Sequence, residues 1–357
     1  MKFLAVIGDW LNEHFSNEEA IYLVILITVI LLVLATLGTY LAPVITGLVL
    51  AFLLQGLVAT LERRRVPHVA AVFITFVLFV SVLLALALIL LPLLWQQLTE
   101  LLQAVPNIVA RLRDTLQALT ERFPEYITPE QVSAVMDQGT RELGALSAAV
   151  VETAFSQATS VFGLIIYIVL VPVTVFFFLK DKDQLLEFWA SLLPSNRPLL
   201  DAVGTEMTDQ LGNYVRGKVI EILLVGAATF VAFVLLGLNY AALLGVLVGL
   251  SVIIPFVGAA LVTIPVVAVA MFQFGWSLEM AWVVIVYAII QFIDGNLLVP
   301  LLFSEVVDLH PVTIIIAVLA FGGLWGIWGV FFAIPLATLI KAIYKAWPRS
   351  EPVEMAG

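Results

Sequence analysis

Long apolar runs separated by short polar segments dominate the pattern of this 357-residue chain. Several runs exceed eighteen residues without a charge, and they do not alternate between apolar and polar positions. A helix needs about 20 apolar residues to cross a bilayer core, whereas a barrel strand alternates over short segments. The pattern therefore predicts an all-α, polytopic helical membrane protein. Its hydrophobic segments, about 8 in number, lie at residues 20–40, 42–61, 67–94, 160–179, 218–237, 241–274, 280–303 and 312–340.

Two of these runs, 241–274 and 312–340, are too long for one upright span and too short for two. Pro255 and Gly258 interrupt the first run, and a group of glycines precedes Pro335 in the second. Proline removes an intrahelical hydrogen bond, and in lipid the freed backbone groups need another partner or a watery cavity. Each run is predicted to form either a long tilted helix or a re-entrant hairpin, and the helix breakers favour the hairpin.

Polar segments divide the chain into regions. Between the third and fourth runs, leucines and charged residues alternate at helical spacing, and Pro106 with two later prolines predicts at least three helical pieces. Lysine and arginine in the short loops predict cytoplasmic N- and C-termini, which places this insert outside the membrane. The predicted regions are N-terminal spans (1–94), an extracytoplasmic helical insert (95–158), a fourth span with cytoplasmic amphipathic helices (159–217), a C-terminal transport core (218–345) and a cytoplasmic tail (346–357).

Composition supports a membrane protein and excludes several chemistries. Hydrophobic residues make up 62% of the chain and charged residues 12%, against about half and about a quarter in soluble domains. Cysteine is absent, which excludes disulfides and thiolate metal sites. No basic stripe exists outside residues 62–65, so nucleic-acid binding is not expected. Since no P-loop and no H-E-x-x-H motif occurs, the sequence predicts no ATP motor, no metal site, no cofactor and no enzyme.

A carboxylate inside an apolar run is the strongest functional signal. Asp294 lies within 280–303, and Gln291 lies one turn before it on the same helical face. Pro300 leaves the carbonyl of Asn296 without its intrahelical donor. An acid at the bilayer centre costs about 2.5–3.5 kcal/mol on insertion scales and is tolerated where it faces a cavity or a partner. These residues are predicted to form a polar patch that hydrates a path, binds a cation or carries a proton. The alternative is an Asp294 near a membrane face, bonded to a neighbouring helix.

Two sets of candidate site residues follow. The predicted substrate or ion pathway contains Gln291, Asp294, Asn296, Pro300, Pro255, Gly258 and Glu221. The predicted gate or loop contains Glu305, Asp308, His310, Trp325 and Trp328. Glu221 follows Lys218 by three residues, so it forms either a local ion pair at the membrane interface or the mouth of the pathway. The tryptophans lie at a glycine-rich break, where they line a path or pack against glycine faces.

Six stretches resemble the AI-2E transporter family, also called the PerM permease family. They are LAPVITGLVLAFLLQGLVATLERRRVP (41–67), FFFLKDK (176–182), GNYVRGKVIEILLVG (212–226), LLGVLVGLSVIIPFVGA (243–259), QFIDGNLLVPLLFSEVVDLHPVTI (291–314) and FGGLWGIWGVFFAIPLATLIKAI (321–343). Their order covers nearly the whole chain, although no single motif is a catalytic signature. The resemblance implies an inner-membrane permease that forms homo-oligomers. Some members are linked to export of autoinducer-2, and others have been assigned sodium- or lithium-for-proton exchange.

Residues and resemblance together predict a permease of the bacterial inner membrane that exports a small polar solute without ATP. The solute would be an autoinducer-2-like signal or a related metabolite. Two alternatives stay open: an Na⁺(Li⁺)/H⁺ antiporter using Asp294, and a passive channel or membrane scaffold. Lysine and arginine are absent from 219–340, which favours a neutral or cationic solute. The predicted partners are the lipid bilayer, the solute, H⁺ or Na⁺, and further copies of this chain.

Overall fold

The computed structural model describes residues 18–122, 161–255, 257–303 and 309–346, with short pieces between 133 and 145. Within these residues the regular structure is helical and contains no strand, so the predicted all-α class is confirmed. The helices are α1 (Glu18–Arg63), α2 (His68–Ala85), α3 (Leu91–Arg122), α4 (Val161–Lys180), α5 (Lys182–Ser191), α6 (Pro198–Leu235), α7 (Ala241–Ser251), α8 (Val257–Phe274), α9 (Leu278–Ile293), α10 (Val299–Phe303), α11 (Pro311–Trp325), α12 (Ile327–Phe331) and α13 (Ala333–Ala346). Two π-helical segments, Leu86–Leu90 and Asp294–Leu298, precede α3 and α10.

Six helical stretches among the described residues are long and apolar enough to cross a membrane, which confirms the polytopic prediction. They are Ile21–Gly38, Tyr40–Arg63, His68–Asn107, Pro198–Leu235, Val257–Phe274 and Leu278–Phe303. Shorter apolar helices follow at Ile166–Lys180, Ala241–Ser251, Pro311–Trp325 and Ala333–Tyr344. The first two predicted runs share the single 46-residue helix α1, which continues through Pro43.

Helix α3 also continues through a proline, so the predicted break at Pro106 is wrong. One proline removes one intrahelical hydrogen bond, and the amphipathic spacing of α3 is the same on both sides of it. The start of α3 packs within the membrane-spanning helices: Gln97 accepts a hydrogen bond from the Leu243 N–H at 2.8 Å, and Leu101 contacts the core. Most of 123–160 lies outside the described residues, so the insert and the division into regions stay predictions.

The chain divides into two compact units. The first unit contains Met1–Val69, Thr174–Gly217 and Leu302–Gly357, and the second contains Ala70–Val173 and Lys218–Leu301. In the first unit, α1 packs against the beginning of α6, where Leu23 contacts Leu200 and Val203. A carboxylate oxygen of Glu19 accepts the Leu199 N–H at 2.8 Å, which satisfies a donor that the first turn of α6 leaves open.

The core of the second unit is formed by the end of α6 together with α7, α8 and α9. Its buried members include Val225, Phe233, Leu244, Val248, Val266, Val269, Val283 and Tyr287. Helices α6 and α7 approach closely at three glycines, Gly226, Gly245 and Gly249. Small residues allow such backbone contact between membrane helices. The glycines therefore bring the end of α7 within reach of side chains on α6.

Both interrupted runs form helical hairpins rather than single tilted helices. Residues 241–274 form α7 and α8, which pack against each other, and 312–340 form α11, α12 and α13, which do the same. A side chain at Gly258 would overlap the Ser251 carbonyl, and one at Gly329 would overlap the Phe321 carbonyl. Only glycine fits where the chain folds back so tightly. The predicted entry and exit on one membrane side stays a prediction.

Substitution at Gly249 is expected to loosen the contact between α6 and α7. A methyl group there would lie 2.7 Å from the Ile222 carbonyl oxygen and 2.9 Å from the Gly226 Cα. Gly249→Ala should therefore destabilise the protein by about 1–3 kcal/mol, measured by thermal unfolding in detergent. Gly204→Ala, also on α6, has open space around the new methyl group and serves as the matched control. It should be neutral or stabilising by up to about 1 kcal/mol. Equal unfolding temperatures for the two variants would contradict the close α6–α7 contact.

Candidate functional site

Three ionisable side chains lie buried together in the second unit. Lys218, Glu221 and Asp294 are 4%, 2% and 8% exposed, respectively. The Lys218 Nζ lies 2.7 Å from the Glu221 Oε2 and donates a hydrogen bond of 2.9 Å to the Val252 carbonyl oxygen. The charge of Lys218 also acts on Asp294, and the charge of Asp294 acts on Glu221. We call these three side chains the charged cluster.

Local structure explains how α6 and α7 build the cluster. Lys218 and Glu221 are three residues apart on α6, so they share one face of the helix. Helix α7 ends at Ser251, and carbonyls in the last turn of a helix have no intrahelical donor. The Lys218 ammonium supplies one donor to the Val252 carbonyl. A cation is also favoured there because the C-terminal end of a helix carries partial negative charge.

Asp294 is positioned by the second π-helical segment. It is the first residue of that segment, and its carbonyl accepts the Val299 N–H five residues later. Pro300 has no N–H to donate, and the wider turn precedes it directly. Single π-helical turns inside α-helices are frequent at functional sites. The Asp294 Oδ1 is buried without a hydrogen-bond partner among the described residues.

The charges of the cluster do not balance. With all three groups ionised, one ammonium faces two carboxylates, which leaves a net charge of −1. Burying an uncompensated charge is costly, and ionisable groups inside membrane segments usually mark substrate or ion pathways. The cluster can therefore accept one more positive charge, or hydrogen-bond donors from a polar solute.

A polar stripe continues from the cluster along α9. The Tyr287 hydroxyl lies 3.0 Å from the Thr263 Oγ1 and donates a hydrogen bond of 3.3 Å to the Ala259 carbonyl. The Gln291 Nε2 is buried without a partner among the described residues. Because Tyr287, Gln291 and Asp294 are four and three residues apart, they share one face of α9 and its extension.

The structure brings only part of the predicted pathway set together. Glu221 and Asp294 meet in the charged cluster, and Gln291 lies one turn away. Asn296 does not join them: it is exposed, and its Nδ2 donates to the Phe292 carbonyl at 2.9 Å. The Asn296 side chain therefore makes no contact with the buried cluster among the described residues, and its place on a transport path stays a prediction.

The remaining predicted pathway residues shape the backbone. Pro300 is exposed and follows the π-helical segment. Pro255 lies in the connection between α7 and α8, beside the Val252 carbonyl that binds Lys218. Gly258 permits the close return of α8 onto α7. Their roles in transport stay predictions.

Three of the predicted gate residues, His310, Trp325 and Trp328, belong to the first unit. Glu305 and Asp308 lie outside the described residues. His310 is exposed and caps α11, where its Nδ1 accepts the Val312 N–H at 3.3 Å. This contact explains His310 as a helix cap.

The two tryptophans at the glycine-rich break pack against phenylalanines. Trp325 stacks on Phe321 with ring centroids 5.9 Å apart, and Trp328 stacks on Phe332 at 6.1 Å. The chain turns between them at Gly326, which has a positive φ of 59°. The structure thus shows aromatic packing at this break, while a role as a gate stays a prediction.

Sequence reasoning missed the part played by Lys218. It predicted a local ion pair with Glu221 at the membrane interface, and the 2.7 Å contact confirms the pair, but it did not predict the burial of Lys218 or its hydrogen bond to the Val252 carbonyl. The burial of Lys218 depends on the end of α7, which lies 34 residues away in the chain. One local signal was available: Lys218, Glu221, Val225 and Thr229 follow the three-to-four spacing of a single face.

Known proteins are similar in sequence to this chain over most of its length. Residues 20–349 match the AI-2E family transporter. The chain is 44% identical to the "Putative permease PerM" of Escherichia coli (strain K12), over 97% of this chain and 98% of that protein. It is 27% identical to the "Putative transport protein YueF" of Bacillus subtilis (strain 168), over 86% and 84%. It is 26% identical to the "AI-2 transport protein TqsA" of Escherichia coli (strain K12), over 84% and 83%.

Removal of Lys218 alone is expected to cost more stability than removal of the ion pair. Lys218→Met leaves Glu221 and the Val252 carbonyl without their cation, and breaking a buried pair in this way costs about 3–5 kcal/mol. Replacing Glu221 by Met as well removes the uncompensated carboxylate, so the double variant should regain part of the loss. Thermal unfolding in detergent measures both.

Lys182→Met provides the matched control, because Lys182 is an exposed lysine at the start of α5. It should change the unfolding free energy by no more than about 0.5 kcal/mol. A Lys218→Met variant as stable as Lys182→Met would show that the ion pair contributes nothing, and the description of the cluster as a buried pair would fail.

Proposed function

Because this chain belongs to the AI-2E transporter family, we propose that it is an inner-membrane permease that exports a small polar solute without ATP. The observation that carries the proposal is the charged cluster, which lies within candidate membrane-spanning helices. Helix interruptions beside intramembrane polar groups are typical of transporter binding sites. The α7–α8 connection and the π-helical segment are two such interruptions.

The polar stripe supports a solute that forms hydrogen bonds. Asp294 Oδ1 and Gln291 Nε2 are both buried without partners among the described residues. Each such atom costs about 1–3 kcal/mol when nothing satisfies it. Water or a hydroxyl-rich solute would satisfy both, because one atom is an acceptor and the other a donor.

Charge supports a neutral or cationic solute. With all three groups ionised, Glu221 balances the charge of Lys218, and Asp294 carries the net negative charge of the cluster. Residues 219–340 contain no lysine or arginine that would attract an anion. The relative named "AI-2 transport protein TqsA" agrees with a small neutral signal molecule, such as an autoinducer-2-like compound.

A second candidate function is exchange of Na⁺ or Li⁺ for H⁺ at Asp294. The net charge of −1 favours it, because a bound cation or proton would complete the charge balance. In transporters with broken helices, freed carbonyls and helix C-terminal ends coordinate Na⁺. The Val252 carbonyl at the end of α7 is such a group.

Asp294→Asn separates the two candidates. It removes the charge that exchange needs but keeps a polar side chain of the same size, so cation/proton exchange should stop while solute efflux continues at a reduced rate. Proteoliposomes loaded with a pH-sensitive dye measure exchange, and release of radiolabelled neutral, cationic and anionic polar solutes measures efflux.

Glu279→Gln is the matched control, because Glu279 is an exposed acid at the start of the same helix. It should leave both activities unchanged. The permease proposal fails if wild-type vesicles release none of the solutes faster than empty vesicles, and preference for a carboxylate or phosphate solute would contradict the charge argument.

Water should reach the polar stripe if cargo passes along it. Since the chain has no cysteine, a single Gln291→Cys variant carries one thiol. This thiol should react with a small water-soluble thiosulfonate, because the reactive form is the hydrated thiolate. Ile289→Cys, on an exposed apolar position of α9, is the control and should react slowly in lipid vesicles. Equal and slow labelling at both positions would rule out a hydrated path at Gln291.

A further inference from the structure

We propose that the Lys218 ammonium is a tethered cation that occupies a binding site for a free alkali cation. The site consists of the Glu221 and Asp294 carboxylates and the Val252 carbonyl. The inference rests on the proposed function only in placing this cluster on the transport path. Its central test is cation binding to the purified protein, which does not depend on transport.

The atoms around Lys218 are those that would bind a hard cation. Its Nζ contacts the Glu221 Oε2 at 2.7 Å and the Val252 carbonyl oxygen at 2.9 Å. Carboxylate and carbonyl oxygens are the ligands preferred by hard, non-redox cations. The carbonyl also comes from the end of a short interrupted helix, the kind of helix end at which transporters coordinate Na⁺.

The local charge exceeds what the lysine supplies. Asp294 is 8% exposed, and its Oδ1 is buried without a partner among the described residues. With all three groups ionised, two carboxylates share one positive charge. Without the lysine, two buried acids face the partial negative charge at the end of α7, and they need protons or a free cation to balance their charge. Loss of the lysine charge should therefore create a strong attraction for a free cation of similar charge.

Lys218 also contacts the same helices that a bound cation would contact at this site. It extends from α6, binds the end of α7 directly and interacts electrostatically with Asp294 at the end of α9. In the wild-type protein the Lys218 ammonium supplies this contact. A free Na⁺ binds these oxygens only after the ammonium has left them or lost its proton.

Lys218→Gln tests the inference. The wild-type protein should unfold at the same temperature in NaCl, LiCl and choline chloride of equal ionic strength. The variant should be stabilised by NaCl or LiCl in a saturable way, because a ligand that binds the folded state raises its stability. Direct ²²Na⁺ binding should give the variant at least about tenfold higher affinity than the wild type.

Four further variants define the site. Lys218→Arg keeps a tethered positive charge, and Lys182→Gln removes an exposed one, so neither should become dependent on Na⁺. Asp294→Asn combined with Lys218→Gln should abolish the Na⁺ effect. Lys218→Gln with Glu221→Gln restores a net charge of −1 and is the second measurement where Lys218→Gln alone does not fold; it should keep a smaller Na⁺ effect.

Several outcomes would overturn the inference. One is wild-type Na⁺ affinity equal to that of Lys218→Gln. Another is that Lys218→Gln and the double variant Lys218→Gln with Glu221→Gln both unfold at temperatures that NaCl and LiCl do not change. Solute efflux by the wild type together with either outcome would leave the permease proposal intact. Conversely, Na⁺ binding by Lys218→Gln without any wild-type efflux would support the proposal that Lys218 is a tethered cation and would contradict the proposal that the protein is a permease.

Discussion

The contact between one buried ammonium and one helix-terminal carbonyl organises the second unit. Lys218 binds the Val252 carbonyl at 2.9 Å and pairs with Glu221 at 2.7 Å, and both side chains are buried. A broken helix in lipid must find partners for the backbone groups that it frees. A buried lysine must find acceptors for its protons and a compensating charge. The carbonyl at the end of α7 gives the buried ammonium an acceptor, and the ammonium gives that carbonyl a donor.

Close helix packing makes this contact geometrically possible. Gly226 on α6 and Gly249 on α7 bring the two backbones together, about two turns from Lys218 along α6. A larger residue at either glycine would separate the helices and move the Val252 carbonyl away from the lysine. The two glycines thus contribute to the charged site although they carry no polar side chain, because they determine the distance between Lys218 on α6 and the Val252 carbonyl at the end of α7.

Helical spacing and helix breakers predicted much of this fold, but they failed where contacts between residues far apart in the sequence determine the structure. Pro255 and Gly258 together marked a real hairpin, whereas Pro106 alone did not break α3. One missing hydrogen bond is tolerated when the apolar spacing continues. The chain folds back between α7 and α8, where Pro255 lies three residues before Gly258 and Gly258 packs closely against the Ser251 carbonyl. The sequence also located Asp294 correctly inside an apolar run. It could not show that Lys218 is buried beside Asp294, because helical spacing describes one helix and burial depends on others.

The cost of the charged cluster indicates a role beyond stability. A buried ion pair is often no more stabilising than apolar residues of similar volume. An arrangement of two carboxylates and one ammonium therefore gains little as structure alone. It differs from apolar packing because the carboxylates can change partners. When one hydrogen-bond donor or cation leaves a carboxylate, a different one can bind there. Solute export and cation exchange, the two activities considered for this permease, both require a site whose polar atoms accept alternative partners. A lysine between a helix end and a second acid meets that requirement.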